Sequence, residues 1–106
     1  MAASRIDGLL AMRAKNPSDT RILFALALEY EKAERWDDVV AILAEYLDAA
    51  DDEGNAWGRL GKALLALGRV AEAKAAYSRG VEAAEKHGHP TMAVEFAEVL
   101  GEIEDG

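Results

Sequence analysis

The chain has 106 residues, 51% apolar and 30% charged, with a formal net charge of −8 and no cysteine. That length suits one compact domain with a single core. Disulfides, thiolate metal sites and cysteine nucleophiles are excluded. No apolar run approaches the ~20 residues that span a bilayer, and net acidity disfavours a general nucleic-acid binder because phosphate would be repelled.

Taken in chain order, six apolar-periodic segments are separated by short turn signals, and none alternates at period two. The first helix is predicted over about residues 4–14 and stops at "KNPSD". Ser18 or Asp19 can cap a second, to about Lys32, by accepting orphan backbone N–H bonds. "AERW" makes a tight turn into a third helix, to about Ala50. "DDEGN" breaks the chain, and its acids suit the positive N-terminus of the fourth helix. Gly68 turns the chain into a fifth helix, to about Lys86. "HGHP" precedes a last helix over about residues 90–103. The fourth helix carries Gly58 and Gly61 in its interior, each costing about 1 kcal/mol relative to alanine.

The second and third helices superpose on the fourth and fifth at a constant spacing of 34 residues. Leu23 matches Trp57, Leu26 matches Leu60 and Ala27 matches Gly61. Tyr30 matches Leu64, Val39 matches Ala73 and Leu43 matches Tyr77. A fixed period with a helix–turn–helix in each unit marks a helical solenoid. On Trp57, Leu60, Gly61, Leu64, Gly68, Ala73 and Tyr77, the unit resembles a tetratricopeptide repeat. The earlier repeat departs from the pattern at its turn, where Glu34 replaces glycine, and both repeats lack the closing proline.

The expected fold is therefore all-α, an α-solenoid of antiparallel helix pairs filling residues 1–106 as one domain. Its repeat units cover about residues 19–52 and 53–86. The helix at 4–14 is expected to be the second half of a repeat, since Leu9 and Met12 precede Leu43 and Tyr46 by 34 residues. The helix at 90–103 would cap the apolar end. Gly61 and Ala73 are expected where the helices of one hairpin approach most closely, with Gly80 a further small position.

Nothing in the sequence converges on chemistry. His87 and His89 sit in a loop, "DDEGN" lacks calcium-loop spacing, and no phosphate-binding glycine loop occurs. Ser4, Ser18 and Ser78 belong to no nucleophile elbow. The chain is expected to be no enzyme and to hold no cofactor or metal, and neither nucleic acid nor membrane is an expected partner.

The resemblance implies that the first helix of each repeat lines a concave groove that takes a peptide or partner segment. Mapped onto this sequence, the groove residues are Arg21, Phe24, Leu28 and Glu31, followed by Asn55, Gly58, Arg59, Lys62 and Leu65. Phe24 and Leu28 would make an apolar patch and Arg59 and Lys62 a basic one, with Gly58 leaving room for a ligand group or for Phe24. Phe24 and Leu28 also occupy the places where one subfamily uses lysine and asparagine to clamp a chaperone's C-terminal carboxylate, so that ligand is not expected. The functional expectation is a cytoplasmic protein-interaction scaffold. Self-association and a regulatory role within a larger protein are the alternatives.

Overall fold

The computed structural model describes residues 2–105, and the side chains of residues 5–104. Six helices follow in order: α1 (Ala2–Lys15), α2 (Thr20–Lys32), α3 (Trp36–Ala49), α4 (Asn55–Ala66), α5 (Val70–Lys86) and α6 (Pro90–Asp105). The described residues contain no strand. The expected all-α fold of paired helices is thus observed. The chain divides into two compact units, residues 1–50 with α1 to α3 and residues 51–106 with α4 to α6.

The turns show why the helices stop. At the end of α2, the Glu34 N–H bonds to the Glu31 carbonyl (3.0 Å) and the Arg35 N–H to the Tyr30 carbonyl (3.0 Å). Gly68 and Arg69 repeat this after α4, bonding to Leu65 (3.0 Å) and Leu64 (2.8 Å). Gly88 and His89 do so after α5, bonding to Glu85 (3.2 Å) and Ala84 (2.7 Å). This paired arrangement satisfies the last carbonyls and requires a left-handed residue just past the helix. Gly68 (φ 74°) and Gly88 (φ 76°) meet the requirement freely, whereas Glu34 (φ 56°) meets it against its own Cβ. At the other ends, Asp19 caps α2 by accepting from the Arg21 N–H at 3.0 Å. The Asp52 carboxylate accepts from the Gly54 and Ala56 N–H groups at 2.9 Å, so an acid of "DDEGN" does sit on the start of α4.

Within the first unit, α2 packs against both α1 and α3. Its core is aliphatic: Ile6, Ile22, Leu23, Leu26, Ala27, Val39, Ile42 and Leu43 are buried, with Tyr30 beside them. Glu29, 8% exposed, is the buried charge, and Arg5 (3.4 Å) and Lys32 (3.5 Å) both reach its carboxylate. Arg13 reaches Glu45 of α3 at 2.6 Å, so ion pairs fasten α1 to both neighbours.

The second unit is built differently. Its buried side chains are small, namely Ala56, Ala63, Ala73, Ala76, Ala84 and Ala93, with Leu64 and Tyr77 as the large exceptions. Space between its helices is filled by rings seated on glycines. A Cβ on Gly61 would lie 2.6 Å from the Tyr77 ring, closer than van der Waals contact allows. The expected close approach of α4 and α5 is therefore present, and it explains one of the two interior glycines of α4. At the corresponding positions of the first unit, Ala27 and Leu43 are both buried. There the leucine leaves room for a Cβ that the tyrosine ring does not.

Two stability measurements test this account. Thermal melts should show Glu34→Gly stabilised by about 1 kcal/mol and Gly68→Ala destabilised by a similar amount. No atom lies within 4 Å of a Cβ at Gly68, so its change isolates the backbone effect. Gly61→Leu should overpack the hairpin and cost about 1–3 kcal/mol. Adding Tyr77→Leu to Gly61→Ala should recover part of the loss by recreating the pair found in the first unit, and an unchanged melt for Gly61→Leu would contradict the ring-on-glycine account.

Candidate partner-binding surface

The groove residues expected from the sequence fall into one set on α2 and one on α4, and each belongs to its own unit. On α2, Phe24 and Leu28 are half-buried. The Phe24 ring packs against Tyr46 of α3, with centroids 5.2 Å apart at 52°. Contacts of this kind favour tilted over face-to-face geometry. Phe24 is thus shared between the unit's own packing and its surface. Glu31 is half-buried and Arg21 exposed. The Arg21 guanidinium forks onto its cap residue Asp19 at 3.0 and 3.1 Å, which lowers the Asp19 carboxyl and raises the guanidinium.

On α4, Asn55 and Lys62 are exposed, while Arg59 and Leu65 are half-buried. The Arg59 Nε–H donates to the Asn55 side-chain oxygen at 2.8 Å, one helical turn away. Asn55, Arg59 and Lys62 thus make a polar, cationic edge one to two turns long.

Gly58 corrects the sequence reading. It is buried, and a Cβ there would lie 2.5 Å from Cζ of Phe96. The space reserved for a ligand group or for Phe24 is occupied by the Phe96 ring of α6. The same ring stands 2.9 Å from a Cβ position on Gly80, and it meets Tyr77 edge-on with centroids 5.7 Å apart. Gly58, Gly80 and Tyr77 form a socket for one ring, so the second interior glycine of α4 serves helix packing. Burial raises the Tyr77 phenol above its ordinary pKa.

The histidine loop is also tied down more than its composition suggests. His89 Nε2 and Glu53 Oε1 are 2.5 Å apart. That hydrogen bond holds the Glu53 carboxyl below its ordinary value. A lowered carboxyl value means the contact supports the fold above the ordinary carboxylate range and is lost as pH falls through the folded value. His87 Nε2 lies 3.4 Å from Asp51 Oδ2 but without hydrogen-bond geometry. No three metal-ligating side chains converge among the described residues.

Sequence reasoning missed Phe96 as the filler of Gly58. A signal was present: Ala93, Phe96, Ala97 and Leu100 repeat the spacing of Trp57, Leu60, Gly61 and Leu64 at an offset of 36. Helix α5 is longer than its counterpart α3, 17 residues against 14, and this shifts the register away from a period of 34. Gly58→Ala should cost about 1–3 kcal/mol, and Phe96→Ala a comparable amount. Their combination should cost clearly less than the sum of the two. Additive losses in chemical denaturation would show that the ring does not depend on the missing Cβ.

The profile of the tetratricopeptide repeat family matches residues 30–93. The solution structure of protein BPP2914 from Bordetella parapertussis is similar over 94% of this chain and 87% of its own, with 28% identity and a TM-score of 0.79. MamA from MSR-1 is similar over 98% of this chain and 68% of its own, with 21% identity and a TM-score of 0.70. MamA from AMB-1 is similar over 95% and 63%, with 23% identity and a TM-score of 0.68. At those identities the MamA likenesses show the fold alone. No curated protein sequence matches the chain significantly. With two repeats in register, left-handed turns between paired helices and a family match across most of both repeats, the chain belongs to the tetratricopeptide repeat family.

Proposed function

We propose that the chain binds an extended segment of a partner protein through the exposed faces of α2 and α4. The family fold suggests a protein–protein interaction module, and the family is generally non-enzymatic. No described helix is long and apolar enough to cross a membrane.

The observation that carries the finer reading is the cationic edge of α4, with Arg59 held by Asn55 and Lys62 exposed one turn on. In a chain of net charge −8, this edge favours an acidic segment over a basic one. On α2, Phe24 and Leu28 offer half-buried apolar surface suited to an apolar side chain of a partner. Solenoid repeats suit this work because they present rigid helix faces and little preformed chemistry.

A pull-down comparing the wild type with a Phe24→Ala, Lys62→Glu double variant tests the reading. The wild type should retain an acidic peptide that the variant loses, with affinity at least about tenfold weaker. Raising salt should weaken the wild-type interaction. Equal capture by both proteins would refute the groove assignment while leaving the fold intact.

A further inference from the structure

The first helix α4 has a small residue, Gly61, covered by Tyr77 of the following helix α5. Helix α6 repeats the α4 pattern, and Ala97 holds the place of Gly61. Nothing in the unit covers it. Ala97 is exposed, Val94 is 57% exposed, and no atom lies within 4 Å of a Cβ on Gly101. These three residues line one open side of α6.

Helix α1 carries the complementary feature. By the spacing of 34, Leu9 holds the place of Leu43 and Tyr77, the residue type that covers the small position. Leu9 is half-buried, and Met12 beside it is 50% exposed. The charges also match: α1 carries Arg5, Arg13 and Lys15 against Asp7, and although Arg5 and Arg13 pair with Glu29 and Glu45 in their own unit, the Arg5 side chain remains 65% exposed. Helix α6 carries Glu95, Glu98, Glu102, Glu104 and Asp105 and no base.

We infer that α6 of one copy docks against α1 of a second copy, with Leu9 seated on Ala97 as Tyr77 is seated on Gly61. In the antiparallel sense of the α4–α5 pair, Met12 then falls against Val94. Arg5 falls one turn the other way, beside Gly101 and Glu102. Opposite charges along the two helices select this pairing over α6 with α6 or α1 with α1, where like charges would face each other. A single helix pair is smaller than a standard stable interface, so the association belongs at high protein concentration.

Sedimentation equilibrium over a wide concentration range tests this. The wild type should show a weight-average mass that rises with concentration. Ala97→Arg and Met12→Asp change exposed positions, and far-UV circular dichroism should show both folded. Each alone should weaken self-association at least about tenfold. An equimolar mixture of the two should restore a 1:1 dimer that grows no further, since one copy retains a competent α6 and the other a competent α1. The Phe24→Ala, Lys62→Glu variant should associate like the wild type, which separates this contact from the groove. A wild type that stays monomeric throughout, a Met12→Asp variant that still associates, or a mixture that yields no dimer would each overturn the inference.

Discussion

The second unit depends on rings pressed onto bare backbone. Tyr77 lies on Gly61, and Phe96 lies on both Gly58 and Gly80, at distances where a Cβ would collide. Each contact removes a side chain from one helix so that an aromatic face can enter from the next. A ring buries more apolar area than the alanines that make up the rest of this core. The helix accepts about 1 kcal/mol per interior glycine because seating the ring returns more than that. Without the glycines, α4, α5 and α6 would have to stand further apart, and the alanines between them would no longer touch.

The first unit solves the same geometric problem in another way. Its small position is Ala27 and the matching large residue is Leu43, both buried. Core volume comes mainly from the aliphatic side chains of Ile22, Leu23, Leu26, Val39 and Ile42, with the Tyr30 ring beside them. Repeats of one family can therefore share a backbone plan while exchanging volume between partners, provided that the sum at each contact is kept. The turns show the same economy. One left-handed residue closes α2, α4 and α5, and glycine supplies it twice. Glu34 supplies it once, at a conformational cost that the two hydrogen bonds of the turn offset.

Function in such a chain rests on surfaces more than on convergent groups. Acidic side chains are spread over α3, α6 and the loop before α4, while the exposed edge of α4 carries Asn55, Arg59 and Lys62. Under the function proposed above, a local cationic edge within an acidic field would distinguish partners by charge pattern before any side chain is buried. The histidines follow the same logic. His87 and His89 face Asp51 and Glu53, so the corner between α5 and α6 is braced against the loop that enters α4.

Periodicity along the chain was enough to specify six helices, their order, their near-final boundaries and the repeat of 34. These features depend on neighbours three, four or 34 positions away, and such spacings are visible in a string of letters. A cap at Ser18 or Asp19 and the turn at Gly68 were legible for the same reason, and the structure selects Asp19 as the cap. The use of Gly58 was not. A missing side chain marks a close approach but does not name the atom that approaches, and Phe96 lies 38 residues downstream, beyond a helix α5 longer than its counterpart α3. Nor could the letters show that Phe24 is partly consumed by Tyr46, or that His89 reaches Glu53. Those facts depend on which helix faces are brought within van der Waals distance, and packing in three dimensions is what selects among the partners a sequence permits.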